Sequence, residues 1–168
     1  MTGELAYSLV YKMYRLELCV TEEGSKYYPV VGTIENLSSD NAGYDLKIVS
    51  DVTPITIASL VPLGVKARMV YMSSEGEKES HFSLEPRSSI YKTGFIMANG
   101  RGIIDKSYRG ELMAPMISVG SALKNINAGT RLFQIVAPDM GYITSVTYVS
   151  NLKDFDGVRG SGGFGSTG

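Results

Sequence analysis

The sequence predicts an all-β subunit, a sandwich, jelly roll or barrel, on three observations. Apolar and polar residues alternate with period two in short runs rich in Val, Ile, Tyr and Thr. Turn-forming clusters separate those runs at regular spacing. Helical periodicity persists for no more than a turn, the first dozen residues excepted. In chain order, YRLELCV (14–20) is the first strand, closed by EEGS, and SSDNAG then opens a second around Asp45. PITIAS (54–59) is set off by PLG from VKARMVYM (65–72), which ends at SSEGEKE. HFSLEP (81–86) follows, and ANGRG and NAGT punctuate the stretch before RLFQIVAP (131–138) and YITSVTYVS (142–150). Many short strands between Gly/Pro turns are the pattern of sandwiches and barrels.

The length of 168 residues suits one domain with a substantial core. It divides into residues 1–40, carrying the first strand or strands, a β core over 41–150, and a C-terminal arm over 151–168. The arm, NLKDFDGVRGSGGFGSTG, has too little apolar content to offset the ordering entropy of its glycines, so it is a disordered tail or orders against something else. A formal charge of −1 supplies no basic footprint for a nucleic-acid polymer but leaves a small anionic ligand open.

Cys19 is the sole cysteine, which excludes an internal disulfide and any zinc site on paired thiolates. His81 is the sole histidine, and no G-x-S-x-G elbow accompanies it, so an enzyme built on this chain uses a carboxylate base. The start, MTGELAYSLVYKMYR, lacks the basic region of a signal peptide, and no run approaches the roughly 20 apolar residues of a membrane span. These features lead to the expectation of a soluble protein in a reducing compartment, cytoplasm or nucleus.

Five segments carry groups suited to chemistry. RGSGGFGSTG combines glycines that let N–H groups converge on an anion with hydroxyls, the Arg159 fork and the Phe164 ring. On composition alone a solvated terminus is the plainer reading. EPRSSIYKTG sends Arg87, Ser88 and Ser89 out of a strand into a turn or helix start, where they suit phosphate or simply cap a helix. ANGRGIIDKSYRGELM reads as a hairpin with Asp105 near its tip, either a partly desolvated base or an ordinary turn aspartate. NAGYDL places Asp45 just inside a strand, and GTRLFQIV puts the Gln134 amide in an apolar strand, where it demands a partner.

In order and spacing, NAGYDL, PRSS, NGRGIIDKSYRGEL, GTRLFQIV and RGSGGFGSTG resemble the five motifs of the homotrimeric dUTP pyrophosphatases (dUTPases), over residues 41–168. The resemblance implies a jelly-roll or distorted-barrel subunit with a flexible glycine-rich arm, assembled as a homotrimer with three sites at its interfaces. The implied reaction is hydrolysis of dUTP to dUMP and pyrophosphate. Asp105 matches the catalytic aspartate that activates the water attacking the α-phosphorus, and Tyr108 the residue under the deoxyribose that leaves no room for a 2′-hydroxyl. Asn99, main-chain groups of Gly102, Ile103 and Ile104, and those near Met113 would form the uracil pocket. Such a pocket excludes thymine's methyl by sterics and cytosine by its reversed donor and acceptor pattern.

Arg87, Ser88, Ser89 and Gln134 would hold phosphates. Mg²⁺ would sit mainly on the three phosphates, with Asp45 associated through water. The arm, from a neighbouring subunit, would close with Phe164 on uracil, Arg159 on the γ-phosphate, and Gly165, Ser166 and Thr167 along the phosphates. The related dCTP deaminases, including bifunctional deaminase/dUTPases, share the fold and an RSS element. They carry a glutamate about ten residues past the aspartate, where this chain has Pro115 and an earlier Glu111. A dUTPase-like protein that uses nucleotide occupancy to act on a protein partner is the alternative from another class.

Overall fold

A computed structural model describes residues 12–120 and 124–155. Among these are twelve strands and two short 3-10 turns, at Glu23–Lys26 and Ser88–Thr93. The strands are β1 (Tyr14–Val20), β2 (Ile34–Asn36), β3 (Gly43–Lys47), β4 (Ser59–Pro62), β5 (Val65–Ser73), β6 (Gly76–Ser80) and β7 (Phe82–Pro86). They continue with β8 (Phe95–Met97), β9 (Gly102–Ile104), β10 (Met113–Ser118), β11 (Arg131–Val136) and β12 (Ile143–Tyr148). They form a five-stranded sheet β2-β12-β1-β5-β6, a three-stranded sheet β4-β10-β8 and a four-stranded sheet β3-β11-β7-β9. The all-β expectation holds.

Alternation places the core. Tyr14, Leu16 and Leu18 of β1 are buried, with Ala67 and Met69 of β5 and Val146 of β12 beside them. The four-stranded sheet contributes Leu46, Leu84, Phe133 and Ile135 to the same cluster. Each Val, Leu, Ile, Phe or Met among them contributes about 1.5–3 kcal/mol by leaving water. β1 lies between antiparallel β5 and parallel β12, so the two ends of the described chain meet side by side, Leu16 opposite Val146. A parallel neighbour needs a long crossover, and here it is the rest of the fold.

Three expectations are corrected. PITIAS is not a strand: Pro54 has no N–H to give, and Ile55 N–H donates to the Ser118 hydroxyl Oγ at 2.6 Å, the only bridge nearby among the described residues being Val52 with Ile126, before the segment. The next strand begins only at Ser59. Conversely, SSEGEKE contains a strand, because β6 pairs with β5 and its charges are neutralised across the ladder. Buried Arg68 of β5 binds Glu17, Glu77 and Glu79 at 3.0, 3.0 and 2.6 Å, and Arg15 reaches Glu77 at 2.5 Å. The Asp105 turn, finally, does not join a hairpin: β9 pairs with β7 and β10 with β4 and β8, in different sheets. Leu112 N–H is drawn to Val65 O and its carbonyl to Leu63 N–H, which carries the chain away from β9.

Residues 1–11, including those with a hint of helical period, and the arm beyond Phe155 lie outside the described residues. So do Arg159, Phe164, Gly165, Ser166 and Thr167. Among the described residues no helix is long and apolar enough to cross a membrane. The Cys19 thiol lies 3.2 Å from Ser150 O.

Candidate active site

One row across the four-stranded sheet sets the first half of the site. Gln134 on β11 stands opposite Asp45 on β3 and Glu85 on β7. Gly43 opens β3 without a side chain for a direct reason: a Cβ there would come within 2.5 Å of Gln134 Oε1. Gln134 Nε2 approaches Pro86 O at 3.5 Å, the long edge of a hydrogen bond.

Arg87 leaves β7 in extended conformation, φ −74° and ψ 152°, and its N–H donates to Leu132 O at 2.8 Å. That bond throws the side chain over β3, where Nε meets Asp45 Oδ1 at 2.9 Å while Nη1 donates to Arg131 O at 3.0 Å. Arg131 Nη1 lies 3.5 Å from Asp45 Oδ2. Asp45, Arg87, Ser88, Arg131 and Gln134, with the loop 40–44, line an open cleft of about 480 Å³. Two guanidinium groups held by one carboxylate can receive a polyanion, with the amide and serine hydroxyl as further donors. Arg131 was not singled out from the sequence, where an arginine opening a strand carries no signal of its own. Its value lies in the cross-strand neighbour it meets.

The second half is the turn after β9. The Asp105 side chain is two-fifths exposed, with Oδ1 3.6 Å from His81 Nδ1. Tyr108 N–H donates to Asp105 O at 2.9 Å, and Lys106 N–H donates to His81 Nδ1 at 3.1 Å. Tyr108 is half-buried, and its hydroxyl donates to Glu111 O at 2.9 Å. Burial, then the nearby Glu111 charge, raises the phenol's pKa and keeps it neutral. Asn99 sits at an exposed turn, where Arg101 N–H returns to Asn99 O at 2.7 Å. Ile103 is exposed and Gly102 and Ile104 half-buried, while Met113 stands on β10 opposite Pro62.

Arg109 ties this turn to the root of the arm. It donates to Lys106 O and Lys153 O at 2.7 Å and holds both oxygens of Glu79 at 3.0 Å, with the Phe155 ring 5.9 Å away. The structure thus brings Asp45, Arg87, Ser88 and Gln134 to one cleft that Asn99, Asp105 and Tyr108 do not line. Ser89 lies within the 3-10 turn that follows Arg87.

The described residues offer no cluster of three or more carboxylates, imidazoles or thiolates for a metal ion. Asp45 is a single carboxylate, with Arg87 on Oδ1 and Arg131 on Oδ2.

These features define a class: an all-β protein whose sheet edge presents an arginine-rich anion cleft, with an aspartate and a packed tyrosine on a separate turn. The chain belongs to the dUTPase family, whose model, described as dUTPase, matches residues 32–168. It is 35% identical to the deoxyuridine 5′-triphosphate nucleotidohydrolase of Rhizobium rhizogenes over 134 residues, 76% of this chain and 79% of that protein. To the enzyme of the same name from an African swine fever virus isolate it is 34% identical over 155 residues, 89% and 90% of the two chains. Among solved structures, the dUTPase from Streptococcus mutans matches with a TM-score of 0.52 at 25% identity, covering 83% of this chain and 99% of that one. The native EIAV dUTPase, at 20% identity and a TM-score of 0.50, covers 85% and 99% and is similar in fold.

Proposed function

We propose that the chain hydrolyses dUTP to dUMP and pyrophosphate, supported by its family membership and by one observation above all: a phosphate-sized arginine cleft and a partly exposed aspartate beside a packed tyrosine. Asp105 accepts a proton from water as the water oxygen bonds to the α-phosphorus and the bond to the bridging oxygen breaks, releasing pyrophosphate. Arg87, Ser88, Ser89 and Gln134 take the phosphate oxygens, and Arg131 joins them. Such chemistry is mostly positioning and charge stabilisation and needs neither thiol nor imidazole nucleophile. Tyr108 packs under the deoxyribose and rejects a 2′-hydroxyl by contact. Asn99 and the backbone of Gly102, Ile103, Ile104 and Met113 read the uracil edge.

Mg²⁺ would be held mainly by the substrate's phosphates, with Asp45 meeting it through water, and would supply neutralisation of charge on the reacting group. The protein works as a homotrimer, which unites the cleft of one subunit with the Asp105 turn of another. Arg159, Phe164, Gly165, Ser166 and Thr167 of the arm complete the site. A reducing intracellular compartment fits the single free cysteine. Pro115, at the position where deaminases carry their glutamate, speaks against the deaminase reading.

The test is pyrophosphate release from dUTP, dCTP, dTTP and UTP in parallel, with Mg²⁺ and with chelator, and ammonia assayed in the dCTP sample. Rapid Mg²⁺-dependent release from dUTP alone is expected. Ammonia from dCTP would move the chain to the deaminase branch. Silence on every substrate would favour the nucleotide-gated binding protein.

A further inference from the structure

The Asp105–Lys106 peptide group is gripped at both ends. Its carbonyl accepts Tyr108 N–H at 2.9 Å, and its N–H donates to His81 Nδ1 at 3.1 Å. A peptide plane fixed on both sides fixes ψ of Asp105, and with it the direction in which the carboxylate leaves the chain. His81 is itself steady: Ser80 Oγ donates to its carbonyl at 2.8 Å, and Phe82, the next residue, pairs with Ile104, the residue before Asp105. On the far side of the turn, Arg109 holds Lys106 O at 2.7 Å. The imidazole therefore grips the backbone beside the proposed base from β7's side.

We infer that His81 is a positioning residue for Asp105, aiming the carboxylate by accepting Lys106 N–H on a neutral imidazole. The inference rests on the dUTP-hydrolase reading of Asp105. The accepting bond needs the Nδ1 lone pair, so the proton of the neutral ring sits on Nε2. A proton added at Nδ1 turns acceptor into donor. It sets two N–H groups against each other at 3.1 Å and gives the ring a new partner in Asp105 Oδ1, 3.6 Å away. The base then loses its aim and one of its lone pairs together.

The experiment compares kcat and KM for dUTP in the wild type, His81→Ala and His81→Asn, with folding checked by thermal melting and sedimentation. Asparagine Oδ1 occupies the place of imidazole Nδ1 and accepts. His81→Ala is expected to lower kcat by about 10- to 100-fold with KM little changed. His81→Asn is expected to restore most of the loss. Wild-type turnover with an unchanged kcat in His81→Ala would overturn the role of His81 alone. Should His81→Ala not fold, His81→Phe keeps the bulk of the ring without an acceptor, and an unchanged kcat there would overturn it as well. A folded wild type inert towards dUTP would instead refute the hydrolase reading and take this role with it.

Discussion

Gly110 has no side chain because Tyr108 occupies the place of one: a Cβ there would lie 2.4 Å from the tyrosine hydroxyl and 2.6 Å from Cζ. The ring cannot yield cheaply, since its hydroxyl is bonded to Glu111 O. Gly110→Ala should thus displace Tyr108, lowering kcat/KM for dUTP about tenfold and narrowing the margin over UTP; unchanged discrimination in parallel assays would contradict the sugar-stacking role. Asp105→Asn keeps the shape and removes the proton acceptor. It should cut kcat by at least about 100-fold while calorimetry still detects nucleotide binding. Asp45, Arg87, Ser88 and Gln134 were legible in the sequence, because polar groups in or just beyond an apolar strand demand partners, and the fold brings the four to one cleft. Arg131 and His81 were not, because their importance arises from neighbours 86 and 25 positions away, Asp45 and Lys106.

The five-stranded sheet shows the same limit at the scale of elements. β1 and β5 announced themselves by alternation because one face is core, whereas β6 reads GEKES and resembles a turn. Its logic is electrostatic: Arg68, almost wholly buried, serves three glutamates from two neighbouring strands. Removing it leaves those carboxylates facing one another. Arg68→Met should destabilise the fold by about 3 kcal/mol at pH 7, read from the urea midpoint at unchanged slope. The deficit should shrink in acid, and the sign follows from Glu77. Its hydrogen bond from Arg68 outweighs the opposing effect of burial and lowers its pKa. A lowered folded-state pKa contributes stability above the usual glutamate value of about 4.3 and loses it as pH falls through the lowered value. The gap between wild type and Arg68→Met should therefore be widest near neutrality and close below about pH 4. PITIAS failed in the opposite direction: its alternation is real, but a strand also needs partners for its N–H groups, and Pro54 and the Ser118 hydroxyl remove them.

For the whole molecule, the cleft and the Asp105 turn occupy different parts of one chain, and no local pattern announces that separation. If copies must combine to unite them, Asp105→Asn chains and Arg87→Ala chains should each be inactive alone yet regain part of the activity when refolded together. Verified mixed trimers without activity would argue that each site draws on one chain. Sedimentation should give three copies, with turnover lost on dilution below the assembly's dissociation. The parallel pairing of β1 with β12 reaches further than architecture. β12 also separates β1 from β2, so both stretches emerge from the ribosome early and must wait, with an edge open, for residues 143–148. Contacts so distant in sequence slow folding and prolong the exposure of unpaired edges. During synthesis the nascent chain is thus a client for chaperones until almost its last strand, and a premature stop upstream of Ile143 yields an aggregation-prone fragment rather than a weakened enzyme.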